Sequence, residues 1–203
     1  TLRIALNREG LAIRSIRLSA ADEIPAYAEV QREYERLGYR PASDYCQTVQ
    51  GELPLYKNSK SILPKADRSS PTTTPGGGAG NSLNYIGADN WKSPGASITW
   101  EIEVKQDGLY KILIKSRQKY SRDVNATRQL LIDGQLPFQE AAALAFPYSS
   151  DWQNYTVGGE EDPFLFYLTA GRHTVTLSVS LGEIGEVIGE VDASLTELNR
   201  CYR

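Results

Sequence analysis

Residues 97–104, SITWEIEV, alternate strictly between polar and apolar side chains. Every second residue from Ile98 to Val104 is apolar, and the residues between them are Ser, Thr and Glu. Such alternation is typical of a β-strand with one face on a hydrophobic core and the other in water. The stretch therefore predicts a half-buried strand and assigns Trp100 to the core.

The same pattern recurs towards the C terminus, where residues 173–181, HTVTLSVSL, alternate again. Between these strands lie three further apolar runs, at 109–117, 127–138 and 164–171, with Tyr110, Ile112 and Ile114 expected to point inwards. KQDG at 105–108 and the Asp-Gly pair at 133–134 are turn signals, and KQDG predicts a hairpin between strand 97–104 and the run that follows. Several short strands separated by tight turns predict an antiparallel β-sandwich.

Two helices and a hairpin are expected around this sandwich, which we place at residues 41–182. Residues 1–20 predict a β-hairpin that either closes the sandwich or is the tail of a preceding module. Residues 21–40 predict a helical linker with a stripe of Tyr27, Val30, Tyr34 and Leu37, ended by Gly38. Residues 183–203 predict a second amphipathic helix. The fold class is thus all-β with flanking helices, and 64–82, rich in Pro, Gly, Ser and Thr, is expected to be a mobile surface loop.

Composition excludes several functional classes. The chain has 203 residues, with 22 Lys and Arg against 25 Asp and Glu, so it has no bulk attraction for nucleic acid or an anionic membrane. No apolar run approaches the ~20 residues that span a bilayer. The sequence has no initiator Met and is expected to be a fragment or a processed chain. Cys46 and Cys201 are expected either as two free thiols or as a disulfide between the ends, and His173 as a structural or solvent-facing residue.

Motifs for catalysis are absent from the sequence. It contains no GxSxG, no HExxH and no P-loop, and GGGAG at 76–80 lies in a Pro/Thr-rich stretch without a following helix. The acidic GGEEDP at 158–163 is typical of a solvated loop. We therefore expect a protein that is not an enzyme.

Three loop segments combine aromatic residues with polar ones: NYIGADNWKSPG (84–95), SRQKYSRDVNATR (116–128) and FPYSSDWQNY (146–155). Sugars are bound by a flat aromatic face together with donors and acceptors for the hydroxyls. The candidate ligand-binding residues are Asn90, Trp91, Arg117, Tyr120, Arg122, Tyr148, Asp151 and Trp152. The alternative is that Trp91 and Trp152 plug the ends of the sandwich.

GADNWKSPGASITWEIEVKQDGLYKILIKSRQ (87–118), LLIDGQLPF (130–138), FPYSSDW (146–152) and LTAGRHTVTLSVSLGEIGEVI (168–188) together resemble a known family. The family comprises the carbohydrate-binding-module-like domains found in extracellular solute-binding proteins of bacterial sugar ABC transporters. These domains have a galactose-binding-like fold. The resemblance covers roughly residues 45–198. It implies a non-catalytic jelly-roll module outside the cell, at its surface, in a lipoprotein parent.

The same resemblance implies that loop aromatics and an Asn hold the sugar. It also implies a structural calcium ion near a Glu of the first strand, and VQGELP (49–54) makes Glu52 the candidate ligand, although the Asp that usually assists from the closing strand is not evident. The leading hypothesis is therefore a module that binds an oligo- or polysaccharide in a sugar-uptake protein. The alternatives are a spacer that docks neighbouring domains of a longer parent protein, and an accessory module of a glycan-degrading enzyme.

Overall fold

The computed structural model describes residues 14, 23–43, 45–71, 73–75, 82–120 and 122–201. In chain order these ranges contain α1 (Tyr27–Leu37), β1 (Tyr56–Lys57), β2 (Pro64–Lys65), β3 (Tyr85–Ile86), β4 (Ser97–Val104), β5 (Gly108–Lys111), β6 (Leu113–Ser116), β7 (Ala126–Ile132), β8 (Leu144–Phe146), β9 (Gln153–Thr156), β10 (Leu165–Leu168), β11 (Gly171–Val179) and α2 (Glu183–Cys201). Short 3₁₀ turns lie at Ala88–Asn90 and Gln139–Ala142. The hairpin expected at 1–20 lies outside the described residues, apart from residue 14.

The largest sheet has five strands in the order β1-β4-β11-β7-β8, all antiparallel. Strand β4 has the bounds that the alternation of SITWEIEV predicts, and it pairs with β11 along its whole length, from Ser97↔Ser178 to Val104↔Gly171. Ile98 and Val104 are buried, and Trp100 and Ile102 are half-buried against the core. The prediction of mostly antiparallel sheet with two helices is confirmed.

The hairpin predicted at KQDG is wrong. Both edges of β4 are occupied, by β1 and β11, so β5 leaves the five-stranded sheet and pairs with β10 instead. After a break at Ile112, the chain continues as β6, which pairs with β9. A turn signal shows where a strand ends, whereas the choice of partner depends on which edges other strands already occupy.

One core joins the five-stranded sheet to the pairs β5–β10 and β6–β9. Leu130 and Leu177 from the large sheet form one cluster with Phe166 of β10, with Val157 directly after β9 and with the fully buried Phe138. Burying each of these side chains contributes about 1.5–3 kcal/mol. Tyr110, Ile112 and Ile114 pack against this core as predicted. The jelly-roll connectivity stays a prediction.

Helix α1 packs on the same core. The ring centroid of Tyr27 lies 4.8 Å from that of Phe138 and 4.4 Å from that of Phe164, and its hydroxyl accepts the Leu165 N–H at 2.8 Å. The helix ends at Gly38, whose φ of 72° lies in the left-handed region that glycine adopts without strain. The predicted stripe is confirmed except at Leu37, which is exposed.

The described part of 64–82 has the predicted loop conformation after β2, but it does not lie wholly at the surface. Strand β2 pairs with β3, and Asp67 and Thr73 are buried. The buried Asn84 side chain accepts the Asp67 N–H at 2.7 Å and donates to the Asp67 carbonyl at 2.9 Å and to Thr73 Oγ1 at 3.2 Å. Because one amide side chain meets three groups of this segment, the segment is anchored despite having no apolar periodicity.

Helix α2 spans Glu183–Cys201, so the second predicted helix is confirmed. Val187, Val191, Leu195 and Leu198 form an apolar stripe that is more than half exposed on average. None of the described helices is long and apolar enough to cross a membrane. Cys46 is an exposed, free thiol.

His173, near the start of β11, is expected to make the stability of the fold depend on pH. Nδ1 of His173 lies 2.6 Å from Asp133 Oδ2 and Nε2 lies 2.9 Å from the Thr169 carbonyl oxygen. Only the protonated ring has donors for both acceptors. The hydrogen bond to Asp133 raises the pKa of His173, outweighing burial, and the Thr169 carbonyl adds to the shift.

We expect the melting temperature to be highest below the ordinary histidine pKa of about 6.5 and to fall as pH rises through the raised folded-state pKa. Since His173 is the only histidine, thermal denaturation between about pH 5 and 9 isolates it. In His173→Gln this slope should disappear, and its persistence would contradict the assignment.

Candidate functional site

The three aromatic loops gather at one end of the strands. Strands β6 and β9 pair with Ser116 opposite Gln153, so Arg117 leaves one strand where Trp152 enters the other. Tyr85 meets Trp152 edge to face at 5.6 Å between ring centroids. Segments far apart in sequence thus form one surface, which we call the loop end.

A buried aspartate organises the loop end. Asp67 is 7% exposed and pairs with Arg117, itself 12% exposed, at 2.9 Å between Oδ2 and Nη1. Trp152 donates its Nε1–H to the same Oδ2 at 2.6 Å, and the hydroxyl and the N–H of Ser69 donate to Oδ1 at 2.6 and 2.9 Å. Three uncharged hydrogen-bond donors and one positive charge therefore converge on one carboxylate.

Electrostatics keep this carboxylate ionised. Burial by itself raises the pKa of Asp67, but the hydrogen bonds from Ser69 and Trp152 and the charge of Arg117 outweigh it and lower the pKa to about 2. Sequence reasoning missed Asp67 because it lies in a stretch without apolar pattern. Its signal would have been an aspartate two positions before a serine, Asp67 and Ser69, the spacing at which an Asp side chain accepts a backbone N–H in a turn.

Trp152 and Arg117, both predicted to bind the sugar, are engaged in this network. The Arg117 guanidinium carbon lies 4.8 Å from the Trp152 ring centroid, and the half-buried indole has its N–H bonded to Asp67. Both side chains are therefore held in place from beneath the surface, and their contact with a ligand stays a prediction.

Trp91 is packed into the sandwich. It contacts both groups of core residues, and its Nε1–H donates to the Ala96 carbonyl at 2.8 Å. The Arg128 guanidinium carbon lies 4.3 Å from its ring centroid, and Arg128 also donates to the Trp91 carbonyl at 2.8 Å. A methyl group on Gly87 would lie 2.8 Å from the indole Cε3, so this packing requires glycine there. These contacts favour the alternative that Trp91 plugs one end of the sandwich.

The positive charge beneath Trp91 is costly. Burial lowers the pKa of Arg128 to about 10, and its Nε is buried without a hydrogen-bond partner among the described residues. Stacking on the electron-rich face of Trp91 offsets part of that desolvation. Trp91 and Arg128 therefore depend on each other structurally.

A cleft of about 350 Å³ opens at the loop end beside Trp152. Its lining combines two tyrosines with amide and hydroxyl side chains: Ser116, Gln118, Pro147, Tyr148, Ser149, Gln153, Asn154 and Tyr155. Strands β6 and β9 supply the floor because their paired ends face each other there. Gln118 and Gln153 were not among the predicted site residues, since nothing in the sequence pairs the two segments.

The cleft walls are held by internal hydrogen bonds. Gln118 accepts the Ser149 N–H at its carbonyl at 2.7 Å, accepts the Tyr120 N–H at Oε1 at 2.8 Å and donates to the Val124 carbonyl at 2.9 Å. Tyr155 packs on Phe146 at 4.5 Å between centroids, and burial raises the pKa of the Tyr155 phenol. One glutamine thus joins both loops that flank the cleft.

The other predicted site residues differ in their contacts and exposure. Arg122 stacks on the Tyr148 ring, 5.6 Å from its centroid, so these two are brought together. Tyr120 is exposed, and Asp151 is an exposed residue whose N–H donates to Ser149 Oγ. Asn90 ends a 3₁₀ turn beside Asp89, which forms an ion pair with Lys65 at 2.5 Å.

Among the described residues, Glu52 meets only part of what a calcium site requires. It is buried and its Oε2 has no hydrogen-bond partner, which suits a cation. Calcium takes about 6–8 oxygen ligands, whereas the described residues hold no group of three or more His, Cys, Asp or Glu side chains placed for a metal. Glu52 could therefore supply one ligand only, and backbone carbonyls would have to supply others.

Comparison with known proteins identifies structures with a similar fold. No protein family model and no curated protein match the sequence. Among solved structures, a cycloisomaltooligosaccharide glucanotransferase of a Paenibacillus species, complexed with cycloisomaltoheptaose, is similar to 78% of this chain at 18% identity and a TM-score of 0.50. The match spans only 21% of that enzyme, so the likeness shows the fold of one part of it.

Two further structures are similar over shorter ranges. A β-(1,4)-mannanase of Podospora anserina that carries a family 35 carbohydrate-binding module covers 66% of this chain, with 24% of its own length, 13% identity and a TM-score of 0.46. A family 35 module of Clostridium thermocellum covers 59% of this chain, with 77% of its own length, 10% identity and a TM-score of 0.44. The structural neighbours thus include carbohydrate-binding modules, some of them parts of glycan-degrading enzymes.

Proposed function

We propose that this chain is a non-catalytic carbohydrate-binding module that holds an oligo- or polysaccharide in the cleft at the loop end. The observation that carries the proposal is the cleft lining, where Tyr148 and Tyr155 stand beside the side chains of Gln118, Gln153 and Asn154. Tyrosine rings pack against the C–H faces of a sugar, and amides both donate to and accept from its hydroxyls. This combination suits a hydroxyl-rich ligand.

Each side chain has a role in the proposal. Tyr148, with Arg122 on its ring, is the aromatic platform, and the amides of Gln153 and Asn154 orient the hydroxyls. Trp152 and Arg117, each next in sequence to a residue that lines the cleft, hold the adjacent loop through Asp67. The exposed Tyr120, Asp151 and the half-exposed Asn90 are candidate rim contacts.

The proposal is compatible with two kinds of parent protein for this module. An accessory module of a glycan-active enzyme is the parent that the glucanotransferase likeness supports, since a fifth of that enzyme has this fold. The alternative of a sugar-uptake solute-binding protein, in a bacterial lipoprotein, rests on the sequence resemblance. Either parent places the module outside the cell, where polysaccharides are found.

A docking spacer is the second candidate function. The exposed stripe of Val187, Val191, Leu195 and Leu198 on α2 favours it, because apolar side chains in a row mark contact surfaces. A spacer would bind no glycan, so the titration below separates the two functions.

Tyr148→Ala is expected to weaken glycan binding at least tenfold, about 1.4 kcal/mol, because the aromatic platform contributes most of the contact area of a shallow site. The measurement is titration calorimetry of the whole chain with soluble neutral and acidic glycans, repeated after chelation with EDTA to test a cation beside Glu52.

Tyr56→Ala is the matched control, since Tyr56 is an exposed tyrosine on β1, outside the cleft. Equal loss in both variants, or no loss in Tyr148→Ala, would refute the cleft as the binding site. No binding of any glycan by the unmodified chain would favour the spacer.

A further inference from the structure

A second depression, of about 400 Å³, lies at the end of the strands opposite to the loop end. Strand β4 finishes and β5 begins there, whereas β6 finishes at the loop end. The lining comes from the segment that follows α1, the β4–β5 turn and β10, and includes Tyr39, Arg40, Ser43, Gln106, Asp107 and Tyr167. We call it the α1 cleft.

A cluster of tyrosines builds its aromatic wall. The rings of Tyr39 and Tyr167 stack with centroids 3.7 Å apart and an interplanar angle of 7°. The Tyr34 hydroxyl accepts the Tyr167 N–H at 3.4 Å, and the Tyr34 carbonyl accepts the Tyr39 N–H at 3.0 Å. Because Tyr34 bonds to both members of the stack, the pair is positioned before any ligand arrives.

Hydrogen bonds fix the polar wall as well. Leu109 donates its N–H to the Arg40 carbonyl at 2.9 Å, so the chain after α1 runs along β5. Gln106 donates its Nε2–H to the Ser43 carbonyl at 3.0 Å, and Asp107 Oδ1 accepts the Ala170 N–H at 2.7 Å. A pre-formed wall lowers the ordering cost of binding.

The charges of this cleft select the ligand class. The exposed Arg40 and Asp107 have opposite sign, so the site has no net charge that would favour an anion or a cation. A guanidinium donates to sugar hydroxyl oxygens and a carboxylate accepts from sugar hydroxyls. Phenol, amide and serine side chains add groups of both kinds.

We propose that the α1 cleft is a second binding site for a neutral oligosaccharide, which lets one module contact a glycan at both ends of the fold. The proposal extends the carbohydrate-binding function argued above and uses none of the residues of the first cleft. Two weak sites on one module raise the affinity for a polymer by raising the effective concentration of the second contact.

The test is a ¹⁵N NMR titration of the whole chain with short neutral oligosaccharides of dextran, β-mannan and xylan. We expect the amides of Gly38 and Gly108 to shift, together with those of Ser149 and Gln153 at the first cleft. Arg40→Ala should weaken binding at the α1 cleft roughly tenfold and leave the first cleft unchanged. Asp107→Asn, whose amide oxygen can still accept the Ala170 N–H, should weaken it too.

Arg36→Ala is the matched control, since Arg36 is an exposed arginine in the last turn of α1 and pairs with Glu33 outside the cleft. Shifts at Ser149 and Gln153 alone would overturn the second site and leave the first. Shifts at Gly38 and Gly108 that Arg40→Ala does not weaken would also overturn it. No shift at either cleft with any of the three sugars would overturn both proposals.

Discussion

Asp67→Ala is expected to lower the free energy of unfolding by about 3–5 kcal/mol. The change leaves the Arg117 guanidinium buried without its partner and removes the acceptor of the Trp152 indole N–H. Chemical denaturation followed by circular dichroism measures the loss.

The ionised carboxylate also predicts an acid limit. Because the pKa of Asp67 is lowered to about 2, its contribution is complete above the ordinary aspartate pKa of about 3.9 and is lost as pH falls through about 2. The stability difference between Asp67→Ala and the unmodified chain should therefore persist to about pH 4 and shrink below it.

Asp89→Ala is the matched control. Asp89 is also an aspartate of the loop end in an ion pair, with Lys65, but it is exposed to solvent. Water screens such a pair, so its loss should change stability little. Equal losses in Asp67→Ala and Asp89→Ala would contradict the view that burial of the Asp67–Arg117 pair makes it essential.

Trp91→Ala is expected to lower the free energy of unfolding by about 3 kcal/mol and to leave glycan affinity unchanged. The substitution empties a position that contacts both groups of core residues and removes the ring on which Arg128 stacks. Thermal denaturation and calorimetric titration of the same preparation measure the two quantities.

Lys92→Ala, a change of the exposed neighbouring residue, is the control for Trp91. Tyr148→Ala should behave in the opposite way, with affinity lost and stability kept. A Trp91→Ala protein of unchanged stability that binds glycan more weakly would show that Trp91 is a sugar platform instead of a plug.

Local patterns predicted individual elements well. The alternation of SITWEIEV places β4 at Ser97–Val104, and the stripe ended by Gly38 places α1 at Tyr27–Leu37, because a strand and a helix each repeat on a period that neighbouring residues reveal. The pairing of β5 with β10 was missed, since partner choice depends on strands more than 50 residues away in sequence.

The candidate site divides in the same way. Residue types alone identified the aromatic loops and showed that these loops combine aromatic rings with the polar groups that sugar binding uses. They could not show that Asp67, from a stretch without pattern, binds Arg117 and Trp152. Nor could they show that Tyr148 lines the cleft. A carboxylate selects its partners by distance and burial, which sequence spacing does not encode.

The sequence by itself therefore determined which residues form strands and helices, which faces are apolar and which loops are aromatic. The alternation also placed Trp100 on the inner face of β4, whereas only the tertiary structure decided the use of the other two tryptophans, with Trp91 stacked against Arg128 and Trp152 bonded to Asp67. The physical reason is that secondary structure follows from contacts between near neighbours, whereas burial and hydrogen-bond partners are set by segments that meet only when the sheets pack.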